Sequence, residues 1–309
     1  MNTESIAITA ADGTSLPCLL WTPDTAPIAV LQITHGMTEH AGRYHALAEI
    51  LTANGIAAAA FDLRGHGRHS DGNRCASLGE NGRDKSLSDM RCLSDMLRAR
   101  FGQLPLFHLG FSLGSFLLRE YLGKTDDAIG GAVILGTGHQ PPAVLSLMCA
   151  IVKTQIRRVG IDGTTPLIQK LSFDTYNTRF KPNRTSFDWL CADPGQLDAY
   201  LADPLCRDSI SAGLFYELLS AMKRTADPAL YEKSKNIPIL LLSGACDPVG
   251  DMGKGVARVE KILRRAGASE VHCVLYPDAR HDLLHEYACG AAGEAQRQIV
   301  DFILSHIPA

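Results

Sequence analysis

The hydrophobic positions of the chain fall into two alternating patterns. Short runs that are apolar on both faces, as in the strands of a parallel sheet, occur at residues 28–33, 57–61, 104–109, 131–135, 237–242 and 271–276. Between several of them, apolar residues recur three and four apart, as on one helix face, at residues 43–52, 87–100 and 116–122. This alternation predicts βαβ units, and therefore an α/β fold with a mostly parallel central sheet flanked by helices.

The two remaining stretches of pattern extend this architecture. Near the start, apolar segments at 6–9 and 16–21 flank Asp12-Gly13, a dipeptide typical of hairpin turns, which predicts an antiparallel edge on the sheet. From residue 139 to about 235 the strand pattern disappears, and prolines interrupt a helical or irregular segment. The predicted organisation is a core in two parts, residues 1–138 and 236–309, with a helical cap inserted at residues 139–235.

Composition and charge exclude several classes of protein. The 309 residues are 46% hydrophobic, which is ample for one buried core with an insertion. The formal net charge is −3, so we expect no broad attraction to phosphate backbones and no nucleic-acid partner. These numbers do not specify an oligomeric state.

The cysteines and the apolar segments indicate a cytoplasmic protein. The nine cysteines are an odd number and include no C-x-x-C pair, which favours reduced thiols. Residues 1–10 lack the basic and then apolar pattern of a secretory signal. The apolar stretch at 143–152 is much shorter than the roughly 20 residues that a membrane-spanning helix needs, so no membrane span is predicted.

A candidate nucleophile follows one predicted strand directly. Residues 110–114 read Gly-Phe-Ser-Leu-Gly between the strand at 104–109 and a helical pattern. This is G-x-S-x-G in its strand, turn, helix context, where a tight turn exposes the serine hydroxyl. Glycines suit the outer positions because a Cβ would collide with neighbouring backbone. The motif predicts Ser112 as a nucleophile, against the alternative that a glycine-rich junction contains a serine by chance.

A serine nucleophile needs a base, which follows it along the chain in this arrangement. His272 lies within the predicted strand at 271–276, whereas His281 follows that strand's end. Functional side chains are concentrated in such loops, so His281 is the predicted base. His285 lies four residues later, which leaves a metal-binding His-x-x-x-His pair as an alternative. Because no further ligand set is evident, we predict neither a metal nor another cofactor.

The predicted acid lies in the loop after the strand at 237–242. Asp247 would hold His281 in the required tautomer and stabilise its protonated form. Asp251 is a competitor in the same loop, and either carboxylate is alternatively a solvated loop residue. Proximity to the strand end favours Asp247, because it fixes the geometry better. Asp282 is adjacent to His281 and poorly placed to orient it.

Acyl transfer also requires backbone N–H groups directed at the developing oxyanion. One donor is the residue after the nucleophile, which is Leu113, and the other comes from a loop that follows an earlier strand. The strand at 28–33 leads into such a loop at 34–44, where Met37 is the predicted second donor.

Three ordered motifs carry a resemblance to a known family. They read His35-Gly36-x-x-Glu39-His40-x-x-Arg43-Tyr44, then Asp62-x-Arg64-Gly65-His66-Gly67-x-x-Ser70, then Gly110-x-Ser112-x-Gly114. Together they resemble the bacterial type of the monoacylglycerol lipase and lysophospholipase group of α/β hydrolases. The resemblance extends over nearly the whole chain and includes Asp247 and His281 as acid and base. The family's first loop often reads His-Gly-x-Gly-Glu-His, whereas Thr38 stands here at the second glycine.

The resemblance implies an α/β-hydrolase fold whose helical cap covers an acyl pocket, hydrolysis of single-chain glycerol or phospholipid esters, and no cofactor. One alternative is a serine peptidase of the proline iminopeptidase type, which would need acidic cap residues to hold a substrate amine. Another is a catalytically inactive α/β hydrolase that serves as a binding module.

The roles of two further groups of residues are also predicted, and for the second group alternatives remain open. We expect the polar residues of the first two motifs to support loops near the site, without taking part in the chemistry; they are His35, His40, Arg43, Arg64 and His66. The apolar run at 143–152 is either cap core or a wall for an acyl chain. Transient contact with a lipid surface is a weaker alternative, because few basic residues flank that run.

Overall fold

The computed structural model describes residues 1–70, 72 and 75–308. Its ten strands are β1 (Asn2–Thr9), β2 (Ser15–Thr22), β3 (Ala29–Thr34), β4 (Ile56–Phe61), β5 (Cys75–Ala76), β6 (Leu106–Phe111), β7 (Gly131–Leu135), β8 (Ser209–Ile210), β9 (Ile239–Gly244) and β10 (Val271–Tyr276). Eight of them form one sheet in the order β1-β2-β4-β3-β6-β7-β9-β10. β1, β2 and β4 pair antiparallel, and all later neighbours pair in parallel, which confirms the predicted mixed sheet.

The central strands are buried on both faces. β3, β4, β6, β7 and β9 contain only buried residues, which explains their continuous apolar runs. β6 and β9 each begin two residues later than their apolar runs, immediately after Pro105 and Pro238. The reason is that proline has no N–H to donate to a neighbouring strand.

Helices cover both faces of the sheet. They are α1 (His45–Ala53), α2 (Gly82–Phe101), α3 (Leu113–Lys124), α4 (Pro142–Val159), α5 (Pro166–Gln169), α6 (Thr175–Asn177), α7 (Pro194–Ala202), α8 (Ala212–Arg224), α9 (Lys254–Arg265) and α10 (Ala291–Ser305). α1 and α10 pack together on one face, and α2, α3 and α9 pack on the other. None of the helices in the described part of the chain has the length and hydropathy needed to cross a membrane.

The segment between β7 and β9 is largely helical, as its pattern predicts. It contains α4 to α8, a π-helical turn at Lys170–Asp174 and a 3-10 helix at Pro228–Ser234. The exception is β8, which pairs with β5 and is too short to give an alternating pattern. Apolar residues of this segment join the core in one continuous cluster, so the division at residues 139 and 235 stays a prediction.

The parallel part of the sheet brings several loops to one edge. β3, β6, β9 and β10 run in the same direction, so the loops after them leave the sheet on the same side. Those four loops contain the residues that the sequence predicts for the site, and ligands of open parallel sheets bind at this edge.

Candidate active site

Ser112 lies between β6 and α3 in a strained backbone conformation, with φ of 50° and ψ of −115°. The flanking glycines make this turn possible. A Cβ on Gly110 would lie 2.4 Å from the carbonyl oxygen of Gly114, and a Cβ on Gly114 would lie 2.0 Å from that of Thr34. Strain of this kind persists only where the surrounding packing enforces it, and here it exposes the Ser112 hydroxyl to the loops at the sheet edge.

Hydrogen bonds connect Ser112, His281 and Asp247 in a line. His281 Nε2 lies 2.8 Å from Ser112 Oγ, and its Nδ1 lies 3.0 Å from Asp247 Oδ2. Asp247 also accepts from the Val249 N–H at 2.8 Å and from the Ser243 hydroxyl at 3.3 Å, which fixes the orientation of its carboxylate. Because the carboxylate accepts from Nδ1, Nε2 is the ring nitrogen that can take the serine proton.

Aromatic rings from two parts of the chain hold the imidazole. The ring of Phe111, at the end of β6, lies 4.9 Å from that of His281, and the ring of Trp189 lies 5.2 Å from it. Both His281 and Asp247 are almost completely buried. The geometry therefore leaves the imidazole little freedom to rotate away from Ser112.

The competing acid and base lie elsewhere. Asp251 forms an ion pair of 3.4 Å with Arg258 at the surface, so the structure brings Asp247 rather than Asp251 to His281. His272 is exposed on β10 and pairs with Glu270 at 2.9 Å.

In the possible metal-binding pair of His281 and His285, ring nitrogens of both histidines contact other residues. Both ring nitrogens of His281 face Ser112 and Asp247. His285 Nδ1 lies 2.8 Å from Asp282. The two histidines therefore point their donor atoms at different partners.

The two predicted oxyanion donors have unoccupied N–H groups. Leu113 is the first residue of α3, where backbone N–H groups have no partner within the helix. Met37 follows His35-Gly36 in the loop after β3. Neither N–H donates a hydrogen bond to any group among residues 1–70, 72 and 75–308. Both donors are therefore available to a substrate oxygen.

His35 determines the direction of the Met37 N–H. Its Nε2 accepts from the Leu63 N–H at 2.9 Å, so the proton is on Nδ1, which donates to the Gly36 carbonyl at 2.7 Å. Burial lowers the pKa of His35, which keeps the ring neutral. Because the C=O and N–H of a trans peptide point in opposite directions, this bond orients the Met37 N–H.

The buried carboxylate of Glu39 accepts hydrogen bonds from several groups of the same loop. One of its carboxylate oxygens accepts from the Gly36 N–H at 2.6 Å and from the Tyr44 hydroxyl at 2.9 Å. The other accepts from Arg43 Nε at 3.0 Å. Arg43 thus supports the loop as predicted, and Glu39 does so as well, a role that the sequence pattern did not assign to it.

Arg43 extends this network to the loop of the base. Its guanidinium pairs with Asp282, which is adjacent to His281 and also contacts His285. Burial would raise the pKa of Asp282, but His285 and Arg43 lower it below its ordinary value. Asp282 is therefore an ionised link between the two loops, a role that the sequence pattern did not predict.

Thr38 occupies a conformation that normally belongs to glycine. Its φ is 61°, and a residue held there costs roughly 1–3 kcal/mol. Its hydroxyl donates to the Met37 carbonyl at 2.6 Å and lies 2.7 Å from the Tyr200 hydroxyl of α7. The Arg207 N–H donates to the Thr38 carbonyl at 2.9 Å. Thr38, which adopts this conformation although it is not a glycine, is therefore contacted by two residues of a distant segment.

The cavity beside Ser112 is small and largely apolar. Its lining consists of Met37, Thr38, Glu39, Phe111, Ser112, Phe173, Phe187, Trp189, Leu190, Tyr200, His281 and Asp282. Its volume of about 20 Å³ is enough for about one water molecule. Side chains of this lining must therefore shift before a ligand larger than a water molecule can enter.

The part of the cavity lining that the helical segment contributes, which we call the roof, consists mostly of aromatic residues. Ring centroids of Phe173 lie 5.4 Å from Phe187 and 5.8 Å from Trp189, and Phe187 lies 5.6 Å from Tyr200. The sequence pattern did not predict these residues, although their density between 173 and 200 is a signal that could have indicated them. α4 contributes none of the described lining, which speaks against an acyl wall for residues 143–152, and of this run only Leu145 and Val152 are buried in the core, whereas Val144 and Leu147 are exposed.

A second group of possible metal ligands lies at His40, Asp203 and Cys206, whose donor atoms are within 4.8 Å of one another. His40 Nδ1 accepts from the Gly42 N–H, so its Nε2 proton is donated to Asp203 at 2.8 Å. Burial raises the pKa of the Cys206 thiol well above its ordinary value, which opposes the thiolate that metals require. These contacts indicate a structural link between the loop after β3 and the helical segment.

The fold, with Ser112 after β6, Asp247 after β9 and His281 after β10, is that of an α/β hydrolase. The family model described as "Serine aminopeptidase, S33" matches residues 25–288, so the chain belongs to that family. The resemblance found in the motifs is thereby confirmed at the level of the superfamily.

Individual relatives are named as lipases and esterases. The chain is 28% identical over 271 residues to the monoacylglycerol lipase of Mycolicibacterium smegmatis, covering 86% of each chain. It is 35% identical over 278 residues to a monoglyceride lipase homolog of Monkeypox virus, covering 89% of each. A thermostable carboxyl esterase from Bacillus coagulans, solved with glycerol, superposes with a TM-score of 0.90 at 25% identity over 100% of both chains. The chain is therefore a member of the esterase and lipase family of α/β hydrolases.

Proposed function

We propose that the protein is a serine hydrolase that cleaves carboxylic esters, and that single-chain lipid esters such as monoacylglycerols or lysophospholipids are its substrates. The observation that carries this proposal is the line of hydrogen bonds from Ser112 through His281 to Asp247, at distances of 2.8 and 3.0 Å. A hydroxyl, an imidazole and a carboxylate in this order form the arrangement that activates a serine for acyl transfer.

The reaction proceeds through an acyl enzyme. His281 takes the proton of Ser112 as the hydroxyl attacks the ester carbonyl, and Asp247 stabilises the imidazolium. The N–H groups of Met37 and Leu113 donate to the oxyanion of the tetrahedral intermediate. His281 then protonates the leaving alcohol, and it later activates the water that releases the fatty acid.

The cavity lining supports a lipid ester as substrate. Its roof is aromatic and aliphatic, formed by the proposed cap at residues 139–235, and apolar linings with few polar groups suit acyl chains. Several relatives are named for hydrolysis of monoacylglycerols or monoglycerides. We therefore place the acyl chain under the aromatic roof and the ester carbonyl between Met37 and Leu113.

A peptidase of the aminopeptidase type is the second candidate, and the family description favours it. Such an enzyme needs a carboxylate to hold the substrate amine. Within the described residues, the only carboxylates of the lining are Glu39 and Asp282, and both already pair with Arg43. The roof itself contributes none, which supports the esterase.

The proposal is tested by replacing the nucleophile. Ser112→Ala should reduce turnover of p-nitrophenyl esters by on the order of a million-fold and abolish labelling by a fluorophosphonate probe. Ser305→Ala, on α10 and away from the cavity, is the matched control and should keep full activity. Substantial esterase activity in Ser112→Ala would refute the proposed mechanism.

A substrate comparison separates the two candidates. The wild-type protein should hydrolyse p-nitrophenyl esters and monoacylglycerols faster than aminoacyl anilides. Faster anilide turnover would favour the peptidase, and a protein that hydrolyses none of them and resists the probe would be the inactive binding module.

A further inference from the structure

The loop that carries the Met37 N–H has a residue poorly suited to its conformation. Thr38 is β-branched, buried and held at a φ of 61°. The left-handed region is accessible to glycine and only rarely to a β-branched residue. Something other than the intrinsic preference of Thr38 must therefore keep the loop in this shape.

The hydrogen bonds around Thr38 form a directed relay. The Thr38 hydroxyl has one proton, which it donates to the Met37 carbonyl at 2.6 Å. The Tyr200 hydroxyl has two acceptors on Thr38, Oγ1 at 2.7 Å and the carbonyl oxygen at 3.3 Å, and the shorter contact is the one to which we assign its single proton. Burial raises the pKa of Tyr200, so its hydroxyl keeps the proton that this bond needs. The relay ends on the residue whose N–H is the proposed oxyanion donor.

Two further contacts join the same parts of the chain. The Arg207 N–H donates to the Thr38 carbonyl at 2.9 Å, and Asp203 accepts from His40 at 2.8 Å. Tyr200, Asp203 and Arg207 all lie within one short segment, residues 200–207, which we call the clasp segment. It therefore contacts the loop after β3 at Thr38 and again at His40.

Tyr200 itself is well fixed. Its ring packs 5.6 Å from that of Phe187, and the guanidinium of Arg43 lies 5.0 Å from its ring centroid. Arg43 is in turn paired with Glu39 and Asp282. The hydroxyl is thus presented to Thr38 by a rigid ring.

We propose that Tyr200 is a positioning residue for the oxyanion donor: through Thr38 it holds the loop so that the Met37 N–H faces the substrate carbonyl. The proposal rests on the proposed esterase function.

The test uses the full-length protein and the variants Tyr200→Phe, Thr38→Gly and Thr38→Gly/Tyr200→Phe. Tyr200→Phe should lower kcat by about tenfold to a hundredfold, which is less than the loss of a whole donor, and leave KM nearly unchanged. Glycine adopts the left-handed conformation without help. In the Thr38→Gly background, replacing Tyr200 with Phe should therefore lower kcat by less than about threefold.

A comparison of a short and a long ester separates positioning from a role as pocket wall. The effect of Tyr200→Phe should be equal for p-nitrophenyl acetate and p-nitrophenyl decanoate, since the carbonyl is common to both. Tyr216→Phe on α8, whose hydroxyl makes no hydrogen bond within the described residues, is the control and should match the wild type. Melting temperatures show whether each variant is folded.

Three outcomes would overturn the proposal. These are wild-type kcat in Tyr200→Phe, an equal loss in the single variant and in the glycine background, or a loss seen only as KM for the long ester. Ser112→Ala is measured in parallel. If that variant stays active, the proposed function itself fails, whereas an inactive Ser112→Ala beside an unaffected Tyr200→Phe refutes only the positioning role.

Discussion

Asp247 and His281 are 34 residues apart in the chain, yet their side chains share a hydrogen bond of 3.0 Å. The reason is that β9 and β10 are neighbouring parallel strands, so the loops that follow them leave the sheet side by side. Val249 and Ser243 hold the carboxylate in place by donating to it. The position of Asp247 is therefore fixed by the sheet and by its own loop.

Replacing Asp247 with Asn should nearly abolish turnover while preserving the fold. The Asn oxygen would keep the bond from the Val249 N–H, so its NH₂ group would face His281 Nδ1. That ring nitrogen would then be an acceptor, the proton would move to Nε2, and the base would face Ser112 in the wrong tautomer. We expect kcat for p-nitrophenyl butyrate to fall by about ten-thousand-fold.

Asp251→Asn is the matched control. Asp251 pairs only weakly, at 3.4 Å, with the exposed Arg258, and Asn tolerates its left-handed φ of 50°. Surface ion pairs contribute little energy, so the activity of this variant should stay within about twofold of the wild type. Equal losses in the two variants would mean that Asp247 has no special part in the reaction.

Arg43→Met should destabilise the protein strongly. Arg43 lies between the buried carboxylates of Glu39 and Asp282, and its removal would take away the guanidinium that pairs with both negative charges. Breaking a buried pair from one side costs about 3–5 kcal/mol. The measurement is the free energy of unfolding from urea titrations at pH 7.

The control for this variant is Arg258→Met, which removes the surface pair with Asp251 and should cost less than about 1 kcal/mol. A second comparison is Arg43→Met combined with Asp282→Asn, which removes one of the stranded charges and should recover part of the lost stability. If Arg43→Met cost no more than Arg258→Met, the link between the two loops would carry no stabilising energy.

The sheet and the three residues of the proposed triad could be predicted because their signals are local. Buried parallel strands give apolar runs, and a tight turn after β6 requires glycines at fixed offsets from Ser112. The order of nucleophile, acid and base follows the order of strands along the chain. Prolines at 105 and 238 shifted two strand starts, which the apolar runs alone did not reveal.

The surroundings of the triad could not be predicted, because they depend on contacts between distant segments. Thr38 and Tyr200 are 162 residues apart, and nothing in the local sequence of either indicates the other. Asp282 does not orient His281, yet its pairing with Arg43 across 239 residues gives it a supporting role. Sequence patterns indicate which face is buried but not which distant polar groups meet there.

The buried side chain of His108 in β6 should make the stability of the protein vary with pH. Burial lowers the pKa of His108 to about 3, with a smaller contribution from Arg98. In the unfolded chain its pKa is 6.5, so between pH 6.5 and about 3 the unfolded state binds one more proton than the folded state. Stability from this residue is therefore complete above pH 6.5 and is lost as the pH falls, by at most about 1.4 kcal/mol per pH unit.

His108→Leu should flatten that dependence. Neither ring nitrogen of His108 has a hydrogen-bond partner within the described residues, so an apolar replacement sacrifices no bond. Between pH 6 and 4, the slope of unfolding free energy against pH should decrease by about 1 kcal/mol per unit relative to the wild type. His45→Leu, which removes an exposed histidine of α1, should leave the slope unchanged. Parallel slopes for wild type and His108→Leu would mean that the buried ring is protonated with little penalty, and its burial would then not contribute to acid sensitivity.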